Sequence, residues 1–459
     1  MKTAPIKFLG GVLLLVILVI GGIALALSQH NVAKQTVGAV PNDPLVAVNI
    51  SASLPQGELV YLVNTLPPGP PRPITYDLVT QATGPGSGIK GVKNIYQITA
   101  DPINQLFTCQ FSPNGKFVLL KEGIQGGRMS SFHIFLWDSR TKQLQPGPNA
   151  ALSYPETYWS PDARFIAYIQ GGDADGDEIH GTDPICLYVY DVMMKKSQLV
   201  VQNPEAKSLA WTDQGTLLYT FKSRRNDDTP LTYSRRRSDI YEFRVSSGSS
   251  MKLIDGAAEP SPSPDGRRVA FVGWPDRVEE AKAAIQAKAR GRIHQSMQGL
   301  YLYDRLQKER TLFHNFRAEE AHDVLLWSSD SKRLYGVQNV YNSTQPSFTR
   351  GSDTKDYPGY GLGHIYSIEI PTLKRREVAV IQAKDDMARP DPESQFQLKS
   401  VSRNGIFLYV YAHELIDDDP NSNYLSARRS LYALNLTDGS QTVVLSAKNA
   451  SGLDWREVP

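Results

Sequence analysis

The stretch Gly171-Gly172-Asp173-Ala174-Asp175-Gly176-Asp177-Glu178 sets four carboxylates into six residues. Alternating carboxylates converge on one hard cation when a glycine lets the backbone turn, so Asp173, Asp175, Asp177 and Glu178 are candidate calcium ligands. Glu178 stands where an EF-hand loop needs glycine, and a solvated acidic loop is the alternative. A second cluster is basic: Arg224-Arg225 and Arg235-Arg236-Arg237 enclose Asp227-Asp228. Guanidinium groups in such number suit phosphates, acidic polymers or anionic lipid heads, unless water alone solvates them. Glu414, Asp417, Asp418 and Asp419 make a further acidic patch, and patches of alternating sign orient a charged partner and speed its arrival. Tyr341, Phe348, Tyr357 and Tyr360 sit among glycine and polar residues, a composition typical of recognition loops and equally of loops that aromatics pin to a scaffold.

Catalytic signatures are missing. The chain has no Gly-x-Ser-x-Gly elbow, no Gly-Lys-Ser/Thr phosphate loop and no His-Glu-x-x-His pair. His322-Asp323 and His413-Glu414 are adjacent pairs, but neighbours on a strand face opposite ways and cannot share a site. Binding is therefore expected rather than chemistry. A formal net charge of +2 over 459 residues predicts no general attraction to nucleic acid.

What positions these clusters is a repeat. The turns Ser112-Pro113-Asn114-Gly115, Ser160-Pro161-Asp162-Ala163 and Ser263-Pro264-Asp265-Gly266 are its clearest copies, with weaker ones ending at Gly57, Gly215, Ser331 and Gly405. Successive copies lie 58, 48, 52, 51, 65 and 74 residues apart, the range of a four-stranded propeller blade with insertions. An inner strand ends in an aromatic residue before the turn (Phe111, Trp159, Trp211, Trp327), and an apolar second strand such as Phe165-Ile166-Ala167-Tyr168 follows it. Third strands are read at Ile95-Tyr96, Ile134-Phe135, Leu187-Tyr188, Ile240-Tyr241, Leu300-Tyr301, Ile365-Tyr366 and Leu431-Tyr432. Seven second strands match seven third strands, so the expected fold is all-β, a seven-bladed propeller over residues 45–459, with six blades as the alternative. Two segments compete to close the ring: Gly452-Leu453-Asp454-Trp455, whose tryptophan matches the inner-strand aromatics, and Leu45 to Ile50. Cys109 and Cys186, the only cysteines, fall within strands and are expected as buried free thiols.

Loops between second and third strands are long in six of the seven repeats, read at 64–93, 171–185, 222–239, 274–298, 339–363 and 413–429. Strand direction alternates within a blade, so all of them emerge on one rim and carry the clusters above. Insertions gathered on one face mark a binding surface. The 276–290 insertion, alanine-rich between Pro275 and Gly291, reads as a helix.

Phe8 to Leu27 is a run of 20 residues without a charge, after Lys2 and Lys7, long enough for a transmembrane helix. Lysines held inside would leave the body outside the cytoplasm. Residues 1–30 are thus expected as a cytoplasmic stub and membrane anchor, and 31–44 as a linker. The rival is a cleaved signal peptide ending near Ala24-Leu25-Ala26.

These Ser-Pro-Asp-Gly turns with Leu-Tyr third strands resemble the propeller repeats of the TolB family, which also build the propellers of prolyl oligopeptidases and dipeptidyl peptidases. The resemblance covers about residues 45–459 and implies a propeller with a binding or scaffolding role. Two features depart from it: TolB-like proteins typically have six blades, and the peptidases carry a hydrolase domain that is missing here. The function expected is that of a membrane-anchored extracytoplasmic propeller that binds a protein, peptide or cell-envelope polymer through its long-loop face. The alternative is a propeller-type hydrolase or lyase acting on peptide or glycan at that face.

Overall fold

The computed structural model describes residues 45–46, 57–64, 74–83, 93–100, 104–126, 129–148, 157–172, 183–202, 208–213, 215–222, 238–273, 299–315, 321–322, 325–341, 361–382, 396–416, 426–448 and 450–457. The expected anchor of residues 1–30 and the expected helix of 276–290 lie outside them. Among the described residues no helix is long and apolar enough to cross a membrane.

The repeat has a physical basis in its turn. Ser112 donates from Oγ to Asn114 Oδ1 (2.9 Å) and accepts there from the Phe117 amide (2.9 Å), while Asn114 Oδ1 also accepts from the Lys116 amide (3.0 Å). The Gly115 amide closes the turn on the Ser112 carbonyl at 2.8 Å. The same bonds recur around Ser160 and Asp162, Ser263 and Asp265, Ser328 and Asp330, and Ser402 and Asn404. A short acceptor two residues after the serine satisfies backbone donors that a reversal would strand, which is why Asp or Asn occupies that place. The fourth position is left-handed in all five, with φ between 57° and 69° at Gly115, Ala163, Gly266, Ser331 and Gly405.

Among the described residues, strands joined by these turns form seven antiparallel sheets. The second, third, fourth and fifth run in chain order, inner to outer: 104–146, 157–202, 209–254 and 257–315. In the sixth, Ala321–His322 and Leu326–Trp327 share the inner place on Arg333–Tyr341, with Gly361–Glu369 and Lys374–Gln382 outside. The seventh runs from Phe396–Val401 to Gln441–Lys448, and Leu45–Val46 adds a fifth strand at its outer edge. The first sheet takes its inner strand, Ala450–Glu457, from the C-terminal end of the chain and pairs it with Gly57–Asn64, then Ile74–Thr83 and Lys93–Ala100.

The core lies between sheets rather than within one. Val60, Leu62 and Leu78 of the first pack on Cys109, Phe111, Val118 and Trp137 of the second, and further apolar clusters join second to third, third to fourth, and so on to the seventh. Seventh meets first where the Tyr409 and Trp455 rings approach to 3.8 Å between centroids. The chain is an all-β propeller. Because each strand is covered by a neighbouring sheet on either side, the second strands read as continuous apolar runs.

One open choice is decided and two expectations change. Leu45–Val46 does not close the ring; the C-terminal strand does, since its Trp455 fits over Gly57, where an added Cβ would lie 2.3 Å from the indole Nε1. Ile95-Tyr96 belongs to the outer strand of the first sheet, the third being Ile74–Thr83, a polar-rich strand that lacks the Leu-Tyr opening. The segment 64–93 is therefore not one loop: 65–73 joins second to third strand, and 84–92 joins third to outer on the other rim. Finally, the third strand of the second sheet starts at Met129, five residues before Ile134. Cys109 and Cys186 are buried and form no disulfide.

Candidate functional site

The inner strands of all seven sheets surround a central cavity of about 830 Å³. That volume falls in the range of small-ligand sites. It reaches the rim of short turns, because Ser112, Pro113, Pro161 and Arg403 belong to its wall. The residue just before the place held by Phe111, Trp159, Trp211, Pro262, Trp327, Val401 and Trp455 differs around the ring: Gln110, Tyr158, Ala210, Ser261, Leu326, Ser400 and Asp454. At this position the wall is polar from the seventh sheet through the third, while from the fourth through the sixth it is mixed, with Ser208, Glu259 and Ser261 among Ala210, Leu325 and Leu326.

Asp454 is the centre of the polar side, only 4% exposed. Its Oδ2 accepts from the Phe111 amide of the second sheet at 2.6 Å, and its Oδ1 accepts from Lys399 Nζ of the seventh at 2.5 Å. Oδ1 also receives the Trp455 amide (3.0 Å) and the Tyr411 hydroxyl (3.4 Å). Four donors satisfy a buried carboxylate that would otherwise be strongly unfavourable. Burial, and then the neighbouring Asp454 charge, raise the Tyr411 phenol well above its usual value, so it stays a donor. Beside it, Arg456 pairs with Glu58 through Nη2 at 2.5 Å and lies over the Phe111 ring at 4.9 Å. The Glu457 carboxylate accepts from the Arg403 amide at 2.7 Å. The last strand thus fastens seventh, first and second sheets in four consecutive residues.

The indole Nε1 of Trp159 and the hydroxyl of Ser400, both on wall residues, are buried without a hydrogen-bond partner among the described residues. Trp211 and Trp327, at the same place in their repeats, donate to the carbonyls of Tyr158 and Ser261 in the preceding sheet at 3.0 and 2.9 Å, so the Trp159 donor is the exception. Across the cavity Glu259 holds a left-handed backbone (φ 55°) at an interruption in strand register, with its amide on Ser208 Oγ at 3.2 Å. A non-glycine residue held there costs of order 1–2 kcal/mol.

The sequence-derived site residues fall elsewhere. Asp173, Asp175, Asp177 and Glu178, the arginines 224, 225, 235, 236 and 237, and Phe348, Tyr357 and Tyr360 lie outside the described residues. Tyr341 ends a strand, its backbone registered with Gly361. Among the described residues no group of three His, Cys, Asp or Glu could hold a metal ion. What the structure does fix is the origin of the loops: 173–182, 223–237, 274–298, 342–360 and 417–425 each connect a second to a third strand. Sequence reasoning missed Asp454, Lys399 and Glu259. The first had a signal, a carboxylate where the other repeats carry Gln, Tyr, Ala, Ser or Leu, but Lys399 becomes its partner only through ring closure.

The sequence matches no protein-family model and no curated protein. Among solved structures, an oligogalacturonate lyase from Vibrio parahaemolyticus is similar at 14% identity over 84% of this chain and 85% of that one, with a TM-score of 0.44. TolB from Acinetobacter baumannii is similar at 13% identity over 91% and 88%, with a TM-score of 0.39. The propeller domain of the Trilobed protease from Pyrococcus furiosus gives 14% identity over 84% and 98%, with a TM-score of 0.45. The likeness is one of propeller fold.

Proposed function

We propose that each sheet is one blade of a seven-bladed ring, and that the ring is a membrane-anchored, extracytoplasmic binding module. It engages a protein, peptide or cell-envelope polymer through the rim that carries the long connections. The observation that supports this most is the asymmetry between rims. Connections between second and third strands run to 25 residues at 274–298, whereas turns between first and second strands hold four or five residues from the second sheet on. Arg224, Arg225 and Arg235 to Arg237 would meet an acidic partner, Tyr341, Phe348, Tyr357 and Tyr360 its apolar groups, and the Asp173 loop would take calcium. The single-pass anchor at Phe8 to Leu27 keeps the ring beside the membrane.

The test is capture of envelope components by the detergent-solubilised full chain. Changing Arg235, Arg236 and Arg237 together to Ser should weaken capture, less so as salt rises, because exposed charges are screened within about 8 Å at physiological ionic strength. Tyr357→Ser with Tyr360→Ser should weaken it at every salt concentration. Equal capture by all three proteins would refute the assignment of this rim, and turnover of generic peptide or glycan substrates would favour the enzyme instead.

A further inference from the structure

The short-turn rim carries its own pattern. Its twelve described turns hold ten lysines and arginines against five aspartates, with Asp138, Asp191, Asp304 and Glu369 at the strand ends that lead into four of them. Those aspartates are mostly engaged by their own turns: Asp162, Asp265 and Asp330 each accept a serine hydroxyl and a backbone amide. Arg164 and Arg267 pair with Asp191 and Asp304, but other cations are freer. Lys195, Lys196 and Lys308 are exposed and have no carboxylate partner among the described residues, while Arg305 is committed to Glu242.

Aliphatic side chains stand beside these lysines. Met193 is 73% exposed, Met194 60% and Leu306 77%, the three largest exposures of any large hydrophobic residue described. They occupy the same place in two related turns, Val192-Met193-Met194-Lys195 and Arg305-Leu306-Gln307-Lys308, in the third and fifth sheets. The turns are rigid. Asp191 Oδ1 accepts from the amides of Met193 and Met194, and Asp304 Oδ1 from those of Leu306 and Gln307, at 2.9 to 3.2 Å, with Lys195 and Lys308 left-handed at φ 53° and 57°. Arg164 and Arg267 brace the two aspartates from the adjoining turn. Methionine and leucine are therefore held outward, not collapsed.

We propose that this rim docks on an anionic lipid surface, with the Met193, Met194 and Leu306 tips entering the headgroup boundary and the flanking lysines meeting lipid phosphates. A soluble polyanion would satisfy the lysines but offers nothing to three exposed apolar side chains on fixed turns, whereas a bilayer interface takes both. The inference stands apart from the long-loop reading, since it uses the opposite rim. Residues 28–44, joining the apolar run to Leu45, can extend to roughly 55 Å, more than the length of a ten-residue strand, so the tether permits either rim to face the bilayer.

The test uses the full chain in nanodiscs of phosphatidylcholine alone or mixed equally with phosphatidylglycerol. Cys109 and Cys186 are buried, so Leu306→Cys can be labelled selectively with a polarity-sensitive dye, and Gln202→Cys reports the opposite rim. Headgroup-quencher lipids should quench the Leu306 probe in anionic discs only, salt should reverse it, and the Gln202 probe should stay unquenched. Lys195→Asn or Lys308→Asn, which keep the left-handed turn, should each lower the docked fraction about fivefold relative to undocked. Met193→Ser with Met194→Ser should reduce quenching at low salt as well. Equal quenching in neutral and anionic discs, quenching of the Gln202 probe instead, or indifference to the lysine changes would overturn the proposal. If soluble polyglutamate shifted the Leu306 dye as fully as anionic discs do, the rim would be a general cation surface and the lipid assignment would fall.

Discussion

Trp455→Ala removes the ring that joins the two ends of the chain. Trp455 is 5% exposed, lies against the Gly57 α-carbon, and meets the Tyr409 ring at 3.8 Å. Truncating a buried tryptophan costs about 3–5 kcal/mol. With an unfolding entropy near 2.1 cal/mol/K per residue, a ring of roughly 400 residues that unfolds as one unit would lose about 4–6 °C in Tm. The decisive part is coupling. Gly57→Ala places a methyl 2.3 to 2.7 Å from the Trp455 indole, so it should cost about 1–3 kcal/mol in the wild type. In a Trp455→Ala background the clash is gone, and the same change should cost less than about 0.5 kcal/mol. Chemical denaturation of the four proteins gives the coupling directly. Additive single-mutant effects would mean that Trp455 does not sit on Gly57 and that the C-terminal strand does not close the ring.

Other consequences follow from individual turns and loops. Ala163→Gly should stabilise by about 0.5–1 kcal/mol, because Ala163 holds φ 60° where three other repeats use glycine; Ser331→Gly should gain less, since Ser331 Oγ accepts from the Asp265 amide at 3.0 Å. The Ser328 hydroxyl and the Lys332 amide hold the Asp330 carboxyl below its ordinary 3.8, so its stabilisation is complete above pH 3.8 and lost as pH falls through the lower folded value. Denaturation midpoints measured between pH 5 and 2 should accordingly drop less steeply at low pH in Asp330→Asn. Calcium should raise Tm and chelator lower it, with the response abolished in Asp175→Asn; a flat response at millimolar calcium would reduce the loop to a solvated insertion.

Much of the architecture was written in the turns, because Ser112-Pro113-Asn114-Gly115 and its copies specify their own hydrogen bonds locally. Trp455 likewise announced an inner strand by its likeness to Trp159 and Trp327. The first sheet was misread where the local signal fails: Ile74–Thr83 is rich in threonine and polar residues, and its place is set by pairing with Gly57–Asn64 rather than by an apolar run. The Asp454 cluster was out of reach for a related reason. Lys399, Phe111 and Asp454 are separated by up to 343 positions and meet only because the ring closes. The rigidity of the Met193 and Leu306 turns was partly legible, as an aspartate four residues before a lysine, yet their exposure needed the fold.

The claim that the long-loop rim is the working face is tested most directly by site-specific photocrosslinking in intact cells. A photoreactive side chain at Tyr357 or Arg236 should trap a protein, peptide or envelope polymer, seen as a discrete shifted band, while one at Lys332 on the short-turn rim should trap none. Protein, peptide or polymer adducts from Lys332 with none from Tyr357 or Arg236 would contradict the account.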